Sequence, residues 1–347
     1  GAAVSVGDYA IGLGTLTASP NYALHYLGGT LTVTPRAISV VADSLARIYG
    51  EANPALTYRI TGGALPNGDS LTGALATSAT IGSGVGSYAI TIGSLTAPAN
   101  YAVDFTAGTL TINPRPITVS ANAASRIYGE ANPAFGYVIG GMGLVNGDRL
   151  AGALATDATA TSGVGAYAIG QGSLANANYA ISYTGNSLTI TPRPISIAAN
   201  DASRVYGDAN PALGYTIGGM GLVNGDALSG ALATSADTRT NVGSYAIGQG
   251  TLTSSANYSV TGFTGGTLTI TPRALSVRAN DVRRVYGDAD PVFGYTATGL
   301  VNGDTLSGAL VGPGAAVSVG DYAIGLGTLT ASPNYALNYL GGTLTVT

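Results

Sequence analysis

A motif built on Tyr-Gly and an acidic residue recurs four times along the chain, as RIYGEANPA, RIYGEANPA, RVYGDANPA and RVYGDADPV. Its tyrosines are Tyr49, Tyr128, Tyr206 and Tyr286, spaced 79, 78 and 80 residues apart. An Asn-Gly-Asp triplet follows each, beginning at Asn67, Asn146, Asn224 and Asn302. Next comes Val-Gly-x-Tyr-Ala-Ile, with Tyr9, Tyr88, Tyr167, Tyr245 and Tyr322. An Asn-Tyr pair then occurs at Asn21-Tyr22, Asn100-Tyr101, Asn178-Tyr179, Asn257-Tyr258 and Asn334-Tyr335. Self-similarity of this kind restricts the chain to a row of one small unit, each copy leaning on its neighbours. A period of about 78 residues exceeds a solenoid coil or a propeller blade and suits a small autonomous domain.

The early motifs occur four times and the late motifs five, which sets the frame. Residues 1–34 read as the back half of a copy, and 35–113, 114–191, 192–271 and 272–347 as copies 1 to 4. Pro35-Arg36, Pro114-Arg115, Pro192-Arg193 and Pro272-Arg273 fall at the boundaries. Proline fixes φ and donates no hydrogen bond, so it belongs at the end of a strand and makes a short, stiff joint. Residues 1–34 equal residues 314–347 at every position but one, His25 against Asn338. That match implies a longer repeat of 313 residues, with the chain a segment of a longer parent. The front half that completes 1–34 is expected upstream in the same chain, and strand donation between subunits is the rival expectation.

Within copy 1 the pattern predicts strands at Ala37–Ala42, Ala55–Thr61, Leu71–Ala76, Ser87–Thr91, Tyr101–Phe105 and Thr109–Ile112. YAVDF and TLTIN alternate with the period of two that marks half-buried strands. Asn-Gly between them is the favoured pair where two successive residues need positive φ. Helix is expected to be minimal. The predicted class is all-β: tandem small β-sandwich or β-grasp-like domains, arranged end to end as an elongated rod. A domain of this size buries only about 60% of its unfolded surface, so contact between neighbours has to supplement each core.

Composition then removes whole classes of function. With no cysteine and one histidine, Ser/His/Asp and Cys/His catalysis and shared-metal sites have nothing to work with. All thirteen basic residues are arginine and they are spread along the chain, so no basic stripe for nucleic acid exists. No apolar run reaches the 18 or more residues that span a bilayer. No disulfide is available either, so burial and hydrogen bonds must hold the fold.

The order YG-[DE]-AN-P, GLVNGD, VG-x-YAI, NY and GTLTIT-P-R resembles the MBG domain of the YGX type over the whole chain. The resemblance implies tandem domains of very large bacterial surface and secreted proteins, including haemagglutinin-like adhesins. It implies an extracellular or cell-surface stalk or filament, active in adhesion or biofilm, and transfers no catalytic residue. The alternative is a multivalent module binding a glycan or a host protein. Expected partners are neighbouring repeats, with self-association into fibres a further expectation.

Three charged positions repeat in every full copy. They are the arginine before Tyr-Gly (Arg47, Arg126, Arg204, Arg284), the acid after it (Glu51, Glu130, Asp208, Asp288) and the Asn-Gly-Asp aspartate (Asp69, Asp148, Asp226, Asp304). One reading makes the acids calcium ligands, although each copy offers two or three carboxylates where calcium wants six to eight oxygens. The other pairs arginine with acid and uses Asx-type bonds to fix loops. His25 has Asn338 as its counterpart, and Asp104, Ser182 or Thr261 near that place in other copies, which suits a surface position. The tyrosines read as core residues whose hydroxyls reach the rim. No catalytic, cofactor-binding or metal residue is assigned.

Overall fold

In the computed structural model, which describes residues 4–347, strands carry nearly all the regular structure and no α-helix occurs among the described residues. The chain forms two compact units. The first holds the half copy, copy 1 and much of copy 2; the second holds the remaining parts of copy 2 together with copies 3 and 4.

The half copy contributes β1 (Gly7–Ile11) and β2 (Gly29–Val33), paired antiparallel. Copy 1 follows with β3 (Arg36–Ala42), β4 (Leu45–Ile48), β5 (Tyr58–Gly62), β6 (Ala76–Thr77), β7 (Gly86–Thr91), β8 (Tyr101–Thr106) and β9 (Gly108–Asn113). These make two sheets, one of order β5-β3-β8 and one of order β4-β9-β7-β6. Strand β3 runs antiparallel to β5 and parallel to β8, while β9 runs parallel to β4 and antiparallel to β7. Two sheets without a helix make the sandwich rather than the β-grasp-like alternative.

The core follows from alternation. Ile38, Val40 and Ala42 on β3 are buried, as are Leu110 and Ile112 on β9 and Ile90 on β7. Every second residue thus faces inward, as the pleat requires. Copy 3 repeats both sheets, with Tyr215–Gly219, Arg193–Ala199 and Tyr258–Thr264 in one. Ala202–Val205, Gly266–Thr271, Gly243–Gly248 and Ala233–Thr234 form the other. Copy 4 does the same with one strand fewer.

Four of the six expected strands lie within about a residue of their predicted limits, and two expectations are corrected. Leu71–Ala76 shrinks to Ala76–Thr77 and a single bridge from Thr72 to Thr96. Gly73 is the reason: its φ of 89° breaks the ladder, and a Cβ there would lie 2.1 Å from the Ser94 carbonyl oxygen. Ala55–Thr61 begins three residues late, at Tyr58. Strand β4 lies outside the expected strands, because Arg47 within it reads in the sequence as pairing with an acid to fix a loop.

Residues 4–34 and 317–347 provide an internal control, since nearly identical sequences meet different surroundings. In copy 4, Tyr335–Leu340 forms a strand by pairing parallel to Arg273–Ala279. The matching stretch 22–27 forms none. Ile324 and Leu344 are 1% and 0% exposed, whereas their equivalents Ile11 and Leu31 are 51% and 53% exposed. The front half of a copy therefore creates the core that the back half fills. Amide hydrogen exchange is expected to show Ile324 and Leu344 protected and Ile11 and Leu31 exchanging much faster. Equal protection at the two sets would refute this dependence.

Candidate functional site

The repeated motifs do not gather around a cavity within one copy. They meet where one copy adjoins the next. Asn-Gly-Asp supplies the first element: Asn67, Asn146, Asn224 and Asn302 have φ of 64°, 56°, 57° and 60°, and each is followed by a glycine of positive φ. Two successive positive φ values, closed by bonds such as Asp148 N–H to the Val145 carbonyl at 3.0 Å, make the turn that Asn-Gly predicts. The turn places its aspartate at the edge of the copy.

Across the joint between copies 1 and 2, Asp148 Oδ2 accepts two phenol hydroxyls. Tyr179 of its own copy donates at 2.7 Å, and Tyr49 of the preceding copy at 2.9 Å. The joint between copies 2 and 3 repeats this with Asp226, Tyr258 at 2.7 Å and Tyr128 at 3.0 Å. Between copies 3 and 4 the set is Asp304, Tyr335 at 2.8 Å and Tyr206 at 3.0 Å. The two rings in each joint meet edge to face, with centroids 5.6, 5.5 and 5.6 Å apart. That is a favoured aromatic geometry. Tyr179 in turn accepts the Val145 amide at 3.0 Å, so the hydroxyl both accepts and donates.

Three further motif residues complete the joint. The glycine of Tyr-Gly has φ of 79° at Gly50, 83° at Gly129 and 85° at Gly207, and a Cβ there would lie 2.4 Å from Val145, Val223 or Val301 of the next copy. The asparagine of each Asn-Tyr pair accepts the valine amide of the preceding copy's Val-Gly. Asn178 takes Val85 at 3.0 Å, Asn257 takes Val164 at 2.9 Å and Asn334 takes Val242 at 2.9 Å. The Pro-Arg arginine spans the boundary: Arg115 Nη1 donates to the Tyr49 carbonyl at 3.3 Å, and its Nη2 to the Met142 carbonyl at 2.9 Å. Arg193 does likewise with Tyr128 and Met220. Arg273 reaches the Tyr206 carbonyl at 3.0 Å and Asp208 at 2.7 Å.

The remaining sequence candidates fall elsewhere. Arg47, Arg126, Arg204 and Arg284 are buried inside their copies. Their Nε atoms donate to Asn53, Asn132, Asn210 and Asp290, not to the acid after Tyr-Gly, which corrects the expected arginine–acid pair. Of those acids, Glu51 and Glu130 accept backbone amides at 3.4 Å within their own loops, and Asp208 meets Arg273. Asp148, Asp226 and Asp304 serve the joints rather than an Asx loop, and Asp69 accepts Tyr101 of its own copy at 2.7 Å. Tyr49, Tyr128 and Tyr206 of Tyr-Gly and Tyr179, Tyr258 and Tyr335 of Asn-Tyr likewise pack at the joints. His25 is exposed. Among the described residues no three His, Cys, Asp or Glu side chains converge as metal ligands, and no helix is long and apolar enough to cross a membrane.

Burial pushes the Tyr179, Tyr258 and Tyr335 phenols above their ordinary value, partly offset by the valine amides, and the bonds to Asp148, Asp226 and Asp304 push the same way. Folded joints therefore keep protons that the unfolded chain releases above about pH 10. Stability should be fully present below that pH and fall as pH rises through the raised folded values. Denaturation midpoints measured from pH 8 upward test this; replacing the three tyrosines with phenylalanine should flatten the decline. A second test separates joint from backbone. Gly129→Ala and Gly287→Ala share a left-handed penalty of about 1–2 kcal/mol, but only the former meets a neighbour, since a Cβ at Gly287 touches nothing within 4 Å. Gly129→Ala should cost clearly more in urea unfolding, and equal costs would mean the joint contributes nothing there.

Comparison with known families gives four matches to one description, the MBG domain (YGX type), at residues 38–111, 117–189, 195–269 and 275–345. No curated protein matches the chain. Among solved structures, the crystal structure of the I9–I11 tandem from titin aligns over 66% of this chain and 98% of that one. Identity is 11% and the TM-score 0.21, too low to bear on the fold.

Proposed function

The chain belongs to the MBG domain (YGX type) family, and from that premise we propose that it is a non-enzymatic structural repeat region, a stalk or filament segment of a large secreted or cell-surface bacterial adhesin. One observation carries this reading: the Tyr-Gly tyrosine and glycine, the Asn-Gly-Asp aspartate and the Asn-Tyr pair, repeated along the chain, fasten one copy to the next at each of the three internal joints. A ligand-binding repeat would direct its recurring polar side chains outward to solvent. Here Tyr49, Tyr128 and Tyr206 are buried against the following copy and Asp148, Asp226 and Asp304 are taken up by two tyrosines each. Joints of a single kind, repeated at one spacing, suit a spacer whose length is set by the number of copies.

The spacer reading has a measurable size. A single compact body of this chain length has a radius of gyration of about 20 Å. Small-angle scattering should return a value far above that, rising in proportion as copies are added. A value near the compact figure would overturn the spacer reading. Antibody labelling of intact cells addresses the surface location separately, and labelling that requires lysis would overturn that part.

A further inference from the structure

The turn at each internal joint holds a chemically labile pair in an open place. Asn146, Asn224 and Asn302 and the glycines after them are exposed, while the aspartates that follow are half-buried. A Cβ built at Gly147, Gly225 or Gly303 would meet nothing within 4 Å, so space is open around each Asn-Gly peptide. Among the described residues the side-chain amides of Asn146 and Asn224 have no hydrogen-bond partner, whereas Asn302 Nδ2 donates to the Thr238 carbonyl of copy 3 at 3.0 Å. An asparagine followed by a glycine, whose nitrogen no side chain shields, is able to close on itself. The glycine nitrogen attacks Cγ, the new N–Cγ bond forms, and the Cγ–Nδ2 bond breaks. The proton lost by the glycine nitrogen leaves with the departing ammonia. Water then opens the five-membered imide at either carbonyl. One product is aspartate. The other is isoaspartate, whose main chain runs through the former side chain and is one methylene longer.

The closed turn withholds this reaction. Asn67 has ψ of 15° in the corresponding turn of copy 1, close to what the mirror image of a type I turn requires. At that angle the glycine nitrogen is turned away from the asparagine side chain, and attack requires ψ to rotate. Rotation breaks the bonds that close the turns, from the Asp148 and Asp226 amides to the Val145 and Val223 carbonyls, each 3.0 Å. It also shifts the Asp148 and Asp226 carboxylates, which Tyr49 and Tyr128 of the preceding copies hold. The joint thus latches its own turn in the unreactive form. We infer that Asn146 and Asn224 are modification sites, which deamidate spontaneously through the cyclic imide when their joints open. Isoaspartate adds a main-chain carbon to a two-residue turn and a carboxylate two residues from the one that the phenols share. A joint modified in this way re-forms less completely, so the product is a permanent record of joint opening. Asn302, restrained in addition by its bond to Thr238, reacts more slowly.

Ageing the intact chain in warm, mildly alkaline buffer provides the test. Peptide mapping by mass spectrometry reads the mass gained as NH is replaced by O. Labelling by an isoaspartyl methyltransferase reads the isoaspartate itself. In the folded protein Asn146 and Asn224 should convert measurably and Asn302 several-fold more slowly. In denaturant the three rates should converge. Tyr128→Phe keeps the ring and removes only the hydroxyl that reaches Asp226. It should speed conversion at Asn224 by roughly tenfold or more, as loss of one hydrogen bond to a charged acceptor shifts the opening equilibrium. Asn146 should be unaffected, and Tyr49→Phe should give the reverse pattern. The urea midpoint should fall as isoaspartate accumulates. An absence of conversion at Asn146 and Asn224 in the folded chain overturns the inference. So does an Asn224 rate that Tyr128→Phe leaves unchanged, or an Asn302 rate equal to the other two. A midpoint that stays constant while isoaspartate accumulates overturns it as well.

Discussion

Everything beyond the single copy depends on one carboxylate shared by two phenols. Withdrawing a carboxylate from water is costly unless donors replace the lost solvent. Asp148, Asp226 and Asp304 each receive two hydroxyl donors, one from their own copy and one from the copy before. A hydrogen bond to a charged acceptor is roughly twice as strong as a neutral one, and neither copy alone can supply both. The aspartate thus makes the integrity of one copy a condition of the other's full hydrogen bonding. The tyrosine gains as well: its ring buries apolar surface edge-on against its partner while its hydroxyl finds an acceptor, the two needs an aromatic alcohol has when buried.

The remaining joint contacts follow from that placement. For the Tyr-Gly tyrosine to reach the next copy, the chain must turn immediately after it, and glycine alone takes the left-handed conformation without penalty. The same glycine lets Val145, Val223 or Val301 approach to a distance that any Cβ would forbid. Pro114, Pro192 and Pro272 each stand alone between the last strand of one copy and the first strand of the next. The link is therefore one residue of fixed φ, flanked by two strands already held in sheets. A joint with so little slack in its covalent link can be set by a few hydrogen bonds.

The fold was largely legible in the sequence because alternation and turn chemistry are local signals. Asn-Gly announced its positive φ values, and the Ile38, Val40 and Ala42 face was readable from spacing alone. What escaped was local structure that side chains contradict. Arg47 reads as half of an arginine–acid loop pair, whereas Asn53 and the Ile48 and Thr80 carbonyls receive its guanidinium, which makes a buried arginine tolerable. Gly73 looked like a strand residue because its φ is not written in its neighbours. The site was less legible still, since Tyr49 and Asp148 lie 99 positions apart and belong to different copies. One signal did point to it. Polar residues that recur in every copy, yet lack the spacing of any ligand site, must answer a need common to all copies, and adjoining a neighbour is such a need.

The three internal joints also rank their own components. The arginine contact is the variable one: Arg115 and Arg193 donate to the methionine carbonyls of a Gly-Gly-Met-Gly segment, while copy 4 has Thr-Ala-Thr-Gly there and Arg273 turns to Asp208 instead. A guanidinium carries several donors and accepts a change of partner provided that some acceptor stands within reach. The tyrosine pair, the aspartate and the glycine–valine contact do not change in any of the three. Their roles are geometric on both sides of the boundary, so altering one residue would strand its partner in another copy. Tolerance at the arginine and constancy at the aspartate are thus the same constraint seen from two sides. A contact with interchangeable acceptors is free to drift from joint to joint, and a contact that completes a half-buried carboxylate is not.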